Sequence, residues 1–259
     1  MDIDPDSPRK RGKLTLAIDI GGSRLKAGIL DQNGAMVAGP NRVDTPAQPT
    51  PAVVVDALVG LTDTMGAFDR ISVGFPGVVR GGQVLTAPNL GTPAWQHFEL
   101  TASLTDRLGK PARMLNDAEV QGLGVIRGQS LECVLTLGTG MGFALFQDAR
   151  PAPHLELSQH PIHKDKTYDQ FIGSVAFKQV GPKRWNRRLK RVLGCITTLV
   201  GFDTLAIGGG NAKHVALDLA PNIRLVSNEA GITGGVRLWD KALDSTFSSP
   251  LKTSDQNLI

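Results

Sequence analysis

The chain has 259 residues, of which 41% are hydrophobic and 20% charged, with a net charge of +4 and a pI of about 9.2. Such a chain forms one large or two smaller globular domains, and no run in it approaches the roughly 18 consecutive apolar residues of a membrane span. Its two cysteines, Cys133 and Cys195, lie in apolar runs and read as buried thiols; they speak against a disulfide framework or a cysteine-built zinc site and fit a reducing cytoplasm.

Residues 1–13 are charged and lack the apolar segment of a signal peptide, so they read as a disordered lead-in. Residues 14–20 alternate as a strand does, 25–30 form a second strand, and a turn at 31–34 leads to a third at 35–39. A helix follows the prolines across 50–65. Residues 70–79 are a strand that breaks into a Phe-Pro-Gly loop, and 100–108 are a helix stopped by Gly109. A strand at 111–116 runs into a helix that starts at Asp117 and continues to 128. The pattern then restarts, with strand, glycine turn and strand across 131–146. A loop at 154–173 precedes a basic helix that continues to 201. Residues 203–215 read as strand, glycines and helix, 222–228 as a last strand, and 229–243 as a terminal helix before a flexible tail at 245–259. Strand–glycine-turn–strand thus occurs twice. This predicts two related α/β domains, 14–115 and 116–244, with a ligand cleft between them.

Five features carry chemistry. The first turn, Asp19-Ile20-Gly21-Gly22-Ser23, is either a plain hairpin or a nest of N–H groups for phosphate oxygens, with Asp19 placed to hold magnesium. The second turn, Gly138-Thr139-Gly140-Met141-Gly142, has the same character and adds a hydroxyl; no lysine follows it as in a Walker A loop, and a strand rather than a helix comes next. The cluster Gly208-Gly209-Gly210 is either tight strand–helix packing or room for a flat ligand such as adenine. Asp117 is either a helix N-cap or a carboxylate at a strand end, kept ionised by the helix dipole and able to take a proton from a substrate hydroxyl. Lys178 to Arg191 holds seven basic residues and no acidic one, which is either a solvated helix face or a site for a polyanion. Nucleic acid is disfavoured as that polyanion, because Trp185 is the lone stacking aromatic there.

The stretches AIDIGGSRLKAGIL, SVGFPGVVRGGQVLTAPNL, LNDAEVQGLG, LTLGTGMG and LAIGGGNAK, in this order, resemble the motifs of ROK-family sugar kinases. KTYDQFIG and RWNRRL make the chain most similar to the polyphosphate glucokinase branch. The resemblance implies an actin-like, ribonuclease H-like α/β fold of two domains around a cleft. It implies phosphoryl transfer to a sugar 6-hydroxyl from polyphosphate or ATP with magnesium, and by analogy with family members that are often dimers it leaves a homodimer open. Asp117 matches the base, Asn89 and Asn116 sugar ligands, and Glu156 the glutamate near the anomeric end. Gly21, Gly22, Thr139 and Gly140 match phosphate contacts, and Gly209 and Gly210 the nucleotide-side loop.

The family's Glu-x-Gly-His motif is altered here to Glu156-Leu157-Ser158-Gln159, with His160 one place later. Gln159 and His160 remain sugar-site candidates, since either can bond a hydroxyl. The cysteine-rich zinc loop of many relatives is missing, so no zinc is expected; His154, His160 and His163 read as surface or sugar-wall residues rather than a metal site. Two rival readings stand beside the kinase. A repressor needs a helix-turn-helix that residues 1–13 are too short to supply. A catalytically impaired sugar binder draws on the altered Glu156 motif, and the Asn116–Asp117 pair speaks against it.

Overall fold

The computed structural model describes residues 12–227 and 230–247. The chain begins with β1 (Thr15–Ile20), β2 (Arg24–Leu30) and β3 (Met36–Asp44), followed by α1 (Pro51–Thr62) and β4 (Arg70–Phe75). A small hairpin of β5 (Val79–Arg80) and β6 (Gln83–Val84) comes next, then α2 (Thr92–Trp95), α3 (Leu100–Leu108) and β7 (Ala112–Asn116). α4 (Asp117–Leu123) starts directly where β7 ends. The second set comprises β8 (Leu131–Leu137), β9 (Met141–Gln147) and β10 (Arg150–Pro151), then a hairpin of β11 (Pro161–His163) and β12 (Lys166–Thr167). After it come α5 (Tyr168–Ile172), α6 (Ser174–Val200), β13 (Thr204–Gly208), β14 (Ile223–Leu225), α7 (Ala230–Thr233) and α8 (Asp244–Phe247).

Two five-stranded sheets repeat one plan, β3-β2-β1-β4-β7 and β10-β9-β8-β13-β14. In each, a glycine turn joins the first two long strands antiparallel, and the later strands add in parallel. The central strands are buried on both faces, which requires cover on both sides. On one side of the first sheet, Leu16, Ile18, Ile71 and Val73 pack with Val54 and Leu58 of α1 and Leu104 of α3. On one side of the second, Leu135, Leu205 and Ile207 pack with Trp185, Leu189, Val192 and Ile196 of α6, spaced for one helix face.

The other faces share a third core. Ala118, Val120 and Leu123 of α4 pack with Val134, Ala144 and Phe146 of the second sheet and with Leu238 of the C-terminal segment. That segment returns to the first sheet. Ser72 of β4 donates a 2.7 Å hydrogen bond to the Gly235 carbonyl and accepts one from the Trp239 indole at 2.9 Å. Arg113 of β7 stacks on Trp239 and bonds the Leu238 carbonyl. A Cβ on Gly234 would fall 1.9 Å from the Val120 carbonyl oxygen, so only glycine lets the segment lie this close to α4.

Several expectations are corrected. The expected helix at 229–243 is not continuous over its described residues: α7 gives way to 3-10 turns at Gly234–Trp239 and Lys241–Leu243, because Gly234 is pressed against the backbone of α4 and Gly235 against Ala17 of β1 and Ser72 of β4. No helix follows Gly208–Gly210, only a 3-10 turn at Ala212–His214. Gly209 has φ +86° against Leu137, and the Asn211 N–H bonds the Leu137 carbonyl at 2.8 Å, which draws the chain back onto the end of β8. The helix from Asp117 ends at Leu123, short of 128. The loop at 154–173 contains a 3-10 turn, the β11–β12 hairpin and α5, which is capped by Thr167 with Gln170. α6 is broken at Gly181 (φ 72°) and Pro182, Cys195 is only half-buried, and Trp185 is a core residue rather than a stacking surface. Most of the lead-in (1–11) and of the tail (248–259) lies outside the described residues. Among those described, no helix is long and apolar enough to cross a membrane.

Candidate active site

The two glycine turns, Gly209–Gly210 and the head of α4 all face one cleft of about 490 Å³. In the first turn the Gly21 N–H closes onto the Arg24 carbonyl at 2.9 Å, and Thr45 bonds the Gly21 carbonyl at 2.6 Å. This leaves the N–H groups of Gly22 and Ser23 without a backbone partner among the described residues. Asn89 packs against Gly22 and lines the cleft. The hairpin register sets Asp19 opposite Lys26, and their side chains form a 2.7 Å ion pair in the cleft lining.

The second turn is held from behind. The Gly138 carbonyl accepts bonds from the Ser174 N–H and hydroxyl and from the Asn211 amide, which joins the turn to the start of α6. Asp169 of α5 takes the Met141 N–H at 2.6 Å. Of the N–H groups expected to meet phosphate, those of Thr139 and Gly140 are left without a partner among the described residues. Burial pushes the Asp169 carboxyl up from its ordinary value, with the Met141 bond opposing.

α4 begins with a capping box. The Asn116 oxygen accepts the Ala118 N–H at 2.9 Å, and Glu119 accepts the Asn116 N–H at 3.1 Å. The Asn116 amide also donates to the Phe75 and Gly77 carbonyls, so its side chain is committed to holding the Phe-Pro-Gly loop against the helix. The cap is therefore Asn116, and Asp117 is the first helical residue, open to the cleft. The helix dipole does not keep Asp117 ionised. Burial, and then the charge of Asp19, push its carboxyl up to about 7 against the opposing Ala118 N–H bond.

Opposite stands the 154–159 segment. Glu156 lines the cleft, and the Ser158 hydroxyl donates to it in a short hydrogen bond. Gln159 and His160 do not line the cleft. The 3-10 turn at Leu157–Gln159 turns them outward, where Gln159 bonds Ser158 and Asp169 and His160 rests beside the Tyr168 ring. The residue that enters the wall instead is His154, with Nδ1 3.3 Å from Glu119 and Nε2 3.6 Å from Glu156. His163 lies apart, against Arg191, and no group of three or more potential metal ligands forms among the described residues. Of the cleft residues that sequence reasoning missed, Lys26 was within reach through hairpin register. Ser158 and Asp169 had no local signal, whereas His154, read as a surface or sugar-wall residue, does line the cleft.

The basic stretch divides. Arg188 bonds the Phe171 carbonyl at 2.9 Å and Arg191 faces His163, so both are tied to α5 and its hairpin. Lys183, Arg187 and Lys190 line an open groove of about 430 Å³ beside Asn186 and His214. On its other flank the cleft passes Gly209–Gly210 to a shelf of about 410 Å³ formed by Ala212, Leu225 and Val226.

The model of the ROK family matches residues 15–153. The polyphosphate glucokinase of Mycobacterium tuberculosis is 30% identical over 206 residues, covering 76% of this chain and 77% of that one. The solved inorganic polyphosphate/ATP-glucomannokinase of Arthrobacter sp. strain KM superposes with a TM-score of 0.78 at 28% identity, covering 87% of this chain and 98% of its own. A glucokinase of Streptomyces griseus, solved with glucose and AMPPNP, shares the fold with a TM-score of 0.72 at 18% identity over 87% of this chain and 98% of its own.

Proposed function

The chain belongs to the ROK family, and on that premise we propose that it is a sugar kinase transferring a terminal phosphoryl group from polyphosphate or ATP to the 6-hydroxyl of glucose or a related hexose. The observation that carries this reading is the Asp117 carboxyl at the head of α4, facing a cleft lined by two glycine turns whose N–H groups have no backbone partner among the described residues. Asp117 takes the hydroxyl proton as the sugar oxygen forms its bond to phosphorus and the bond to the leaving phosphate breaks. The N–H groups of Gly22, Ser23, Thr139 and Gly140 are placed to meet phosphate oxygens. Glu156 and Asn89 are placed to receive sugar hydroxyls, while Asn116 serves as scaffold. Burial, and then the charge of Asp19, raise the Asp117 carboxyl, and Asp19 and Asp117 are the carboxylates that would hold a magnesium ion, in competition with Lys26 for Asp19. When bound, such an ion neutralises phosphate charge.

Polyphosphate as donor is supported by the cationic groove at Lys183, Arg187 and Lys190 and by the similarity to a polyphosphate glucokinase and a polyphosphate/ATP-glucomannokinase. ATP is favoured by a separate feature, the apolar shelf beyond Gly209–Gly210, which suits a flat base. The first test is a coupled glucose 6-phosphate assay with magnesium and either donor alone; absence of product from glucose and related hexoses with both donors overturns the reading. Changing Lys183, Arg187 and Lys190 together to glutamate should raise KM for polyphosphate about tenfold or more, and KM for ATP less than about threefold, because a polyanion meets all three charges at once. Equal effects on the two donors remove the groove from the donor path.

The raised Asp117 carboxyl makes the reaction pH-dependent. The base must be unprotonated, so kcat/KM for sugar should rise about tenfold per pH unit on the acid side and then level off, with the bend drawn below the metal-free value of about 7 when a divalent cation neighbours the carboxylate. For stability the sign is opposite. The folded protein holds this proton more tightly than the unfolded chain, so Asp117 costs stability as pH rises from the ordinary carboxylate range to about 7. Thermal melts across that window on the Asp117→Asn variant should lose this component of the slope.

A further inference from the structure

We propose that His154 is a positioning residue for the acceptor sugar: it ties Glu156, in the cleft wall, to Glu119, which caps the helix that begins at Asp117. This rests on reading the cleft as a sugar site. Both ring nitrogens of His154 are buried and neither has a hydrogen-bond partner of good geometry, yet each faces a carboxylate, Nδ1 that of Glu119 at 3.3 Å and Nε2 that of Glu156 at 3.6 Å. A neutral imidazole carries one N–H and can serve only one of them; the imidazolium serves both. Two buried carboxylates facing a neutral ring would leave an unpaired charge, which is costly.

The geometry links three pieces of chain. Glu119 belongs to α4, and its second oxygen receives the Asn116 N–H in the capping box. Glu156 belongs to the cleft wall, and its other oxygen receives the Ser158 hydroxyl. His154 is the bridge, and it also forms part of the partition between the cleft and a second cavity of about 430 Å³ lined by Arg80, Arg113 and Glu119. The charged groups around the ring are therefore Glu119 from α4, Glu156 from its own segment, Asp117 on the cleft side, and Arg80 and Arg113 across the cavity behind. Burial pulls the imidazole down, but the two glutamates outweigh it and push it up to about 9; in turn His154 and Ser158 hold Glu156 below the ordinary carboxylate value despite its burial. Glu156 thus stays an acceptor for sugar hydroxyls through neutral pH, and the bridge loosens as pH rises through about 9.

The role is in binding, not in the proton transfer. His154→Gln, which keeps one donor and loses the charge, should raise KM and Kd for the sugar about tenfold or more, the loss expected when a hydrogen bond to a charged group is weakened, with kcat within about threefold of wild type. Glu119→Gln preserves the capping box and should raise KM in the same direction, which keeps the test open if His154→Gln folds poorly. An independent readout needs no substrate: the C2 proton of His154, followed by NMR in the free protein, should titrate near pH 9 and shift down by more than one pH unit in Glu156→Gln. Titration at the ordinary histidine value, or sugar affinity unchanged in His154→Gln, overturns the inference while leaving the kinase reading intact. A wild-type protein that neither binds nor phosphorylates any hexose overturns the sugar reading, and the inference with it.

Discussion

Asp117→Asn should lower kcat for sugar phosphorylation by about a hundredfold to ten-thousandfold, the range a positioned general base supplies. The substitution suits the site. Asparagine keeps the shape, and its carbonyl oxygen can still accept the Ala118 N–H that Asp117 accepts at 2.8 Å. It also removes a charge that burial, Asp19 and Glu156 all oppose, so the folded state gains rather than loses. A fall in kcat with KM for sugar within a few-fold therefore reports the proton transfer itself. A folded variant with kcat within about tenfold of wild type would take Asp117 out of this role.

Trp185→Ala should cost about 3–5 kcal/mol, the range for emptying a large buried aromatic site. The ring lies within the basic stretch but is fully buried, edge-on to Phe177 with centroids 5.4 Å apart. Its indole N–H bonds the Ile172 carbonyl at 2.7 Å, closing α5 onto α6, and alanine leaves that carbonyl without its donor. Urea denaturation should show a lower midpoint at unchanged m-value. An exposed stacking residue would shift stability by no more than about 0.5 kcal/mol, so the measurement separates core from surface directly.

Much of the site was legible because its chemistry sits on local patterns. A glycine turn between alternating strands declares itself, and it does so twice. Asp117 was legible from strand, asparagine and helix in sequence, although the cap belongs to its neighbour. The rest depends on contacts across the chain. His154 matters because of Glu119 on a helix that no spacing connects to it. Asp169 reaches the second turn only because α5 folds under it. Gln159 and His160 read as wall residues in a linear motif, but one 3-10 turn sends them outward and leaves Ser158 facing in. The strand and glycines expected at 203–215 are there, but the helix expected after them is not, for a similar reason. Asn211 bonds the end of β8 and stops the chain before a helix can start.

The bond from Ser72 to the Gly235 carbonyl spans 163 residues. On a ribosome, the sheet emerging first gains α4 on its second face soon after β7 but waits for the returning segment to complete that cover. Until Gly234, Gly235 and Trp239 are made, Ala17 of β1 and Ser72 of β4 lack their native cover, and α4 lacks one of its walls. The repeated plan of the two sheets would suggest two parts folding in order of synthesis. The returning segment instead makes the earliest strands the last to become native, and ties the completion of both to a single late event.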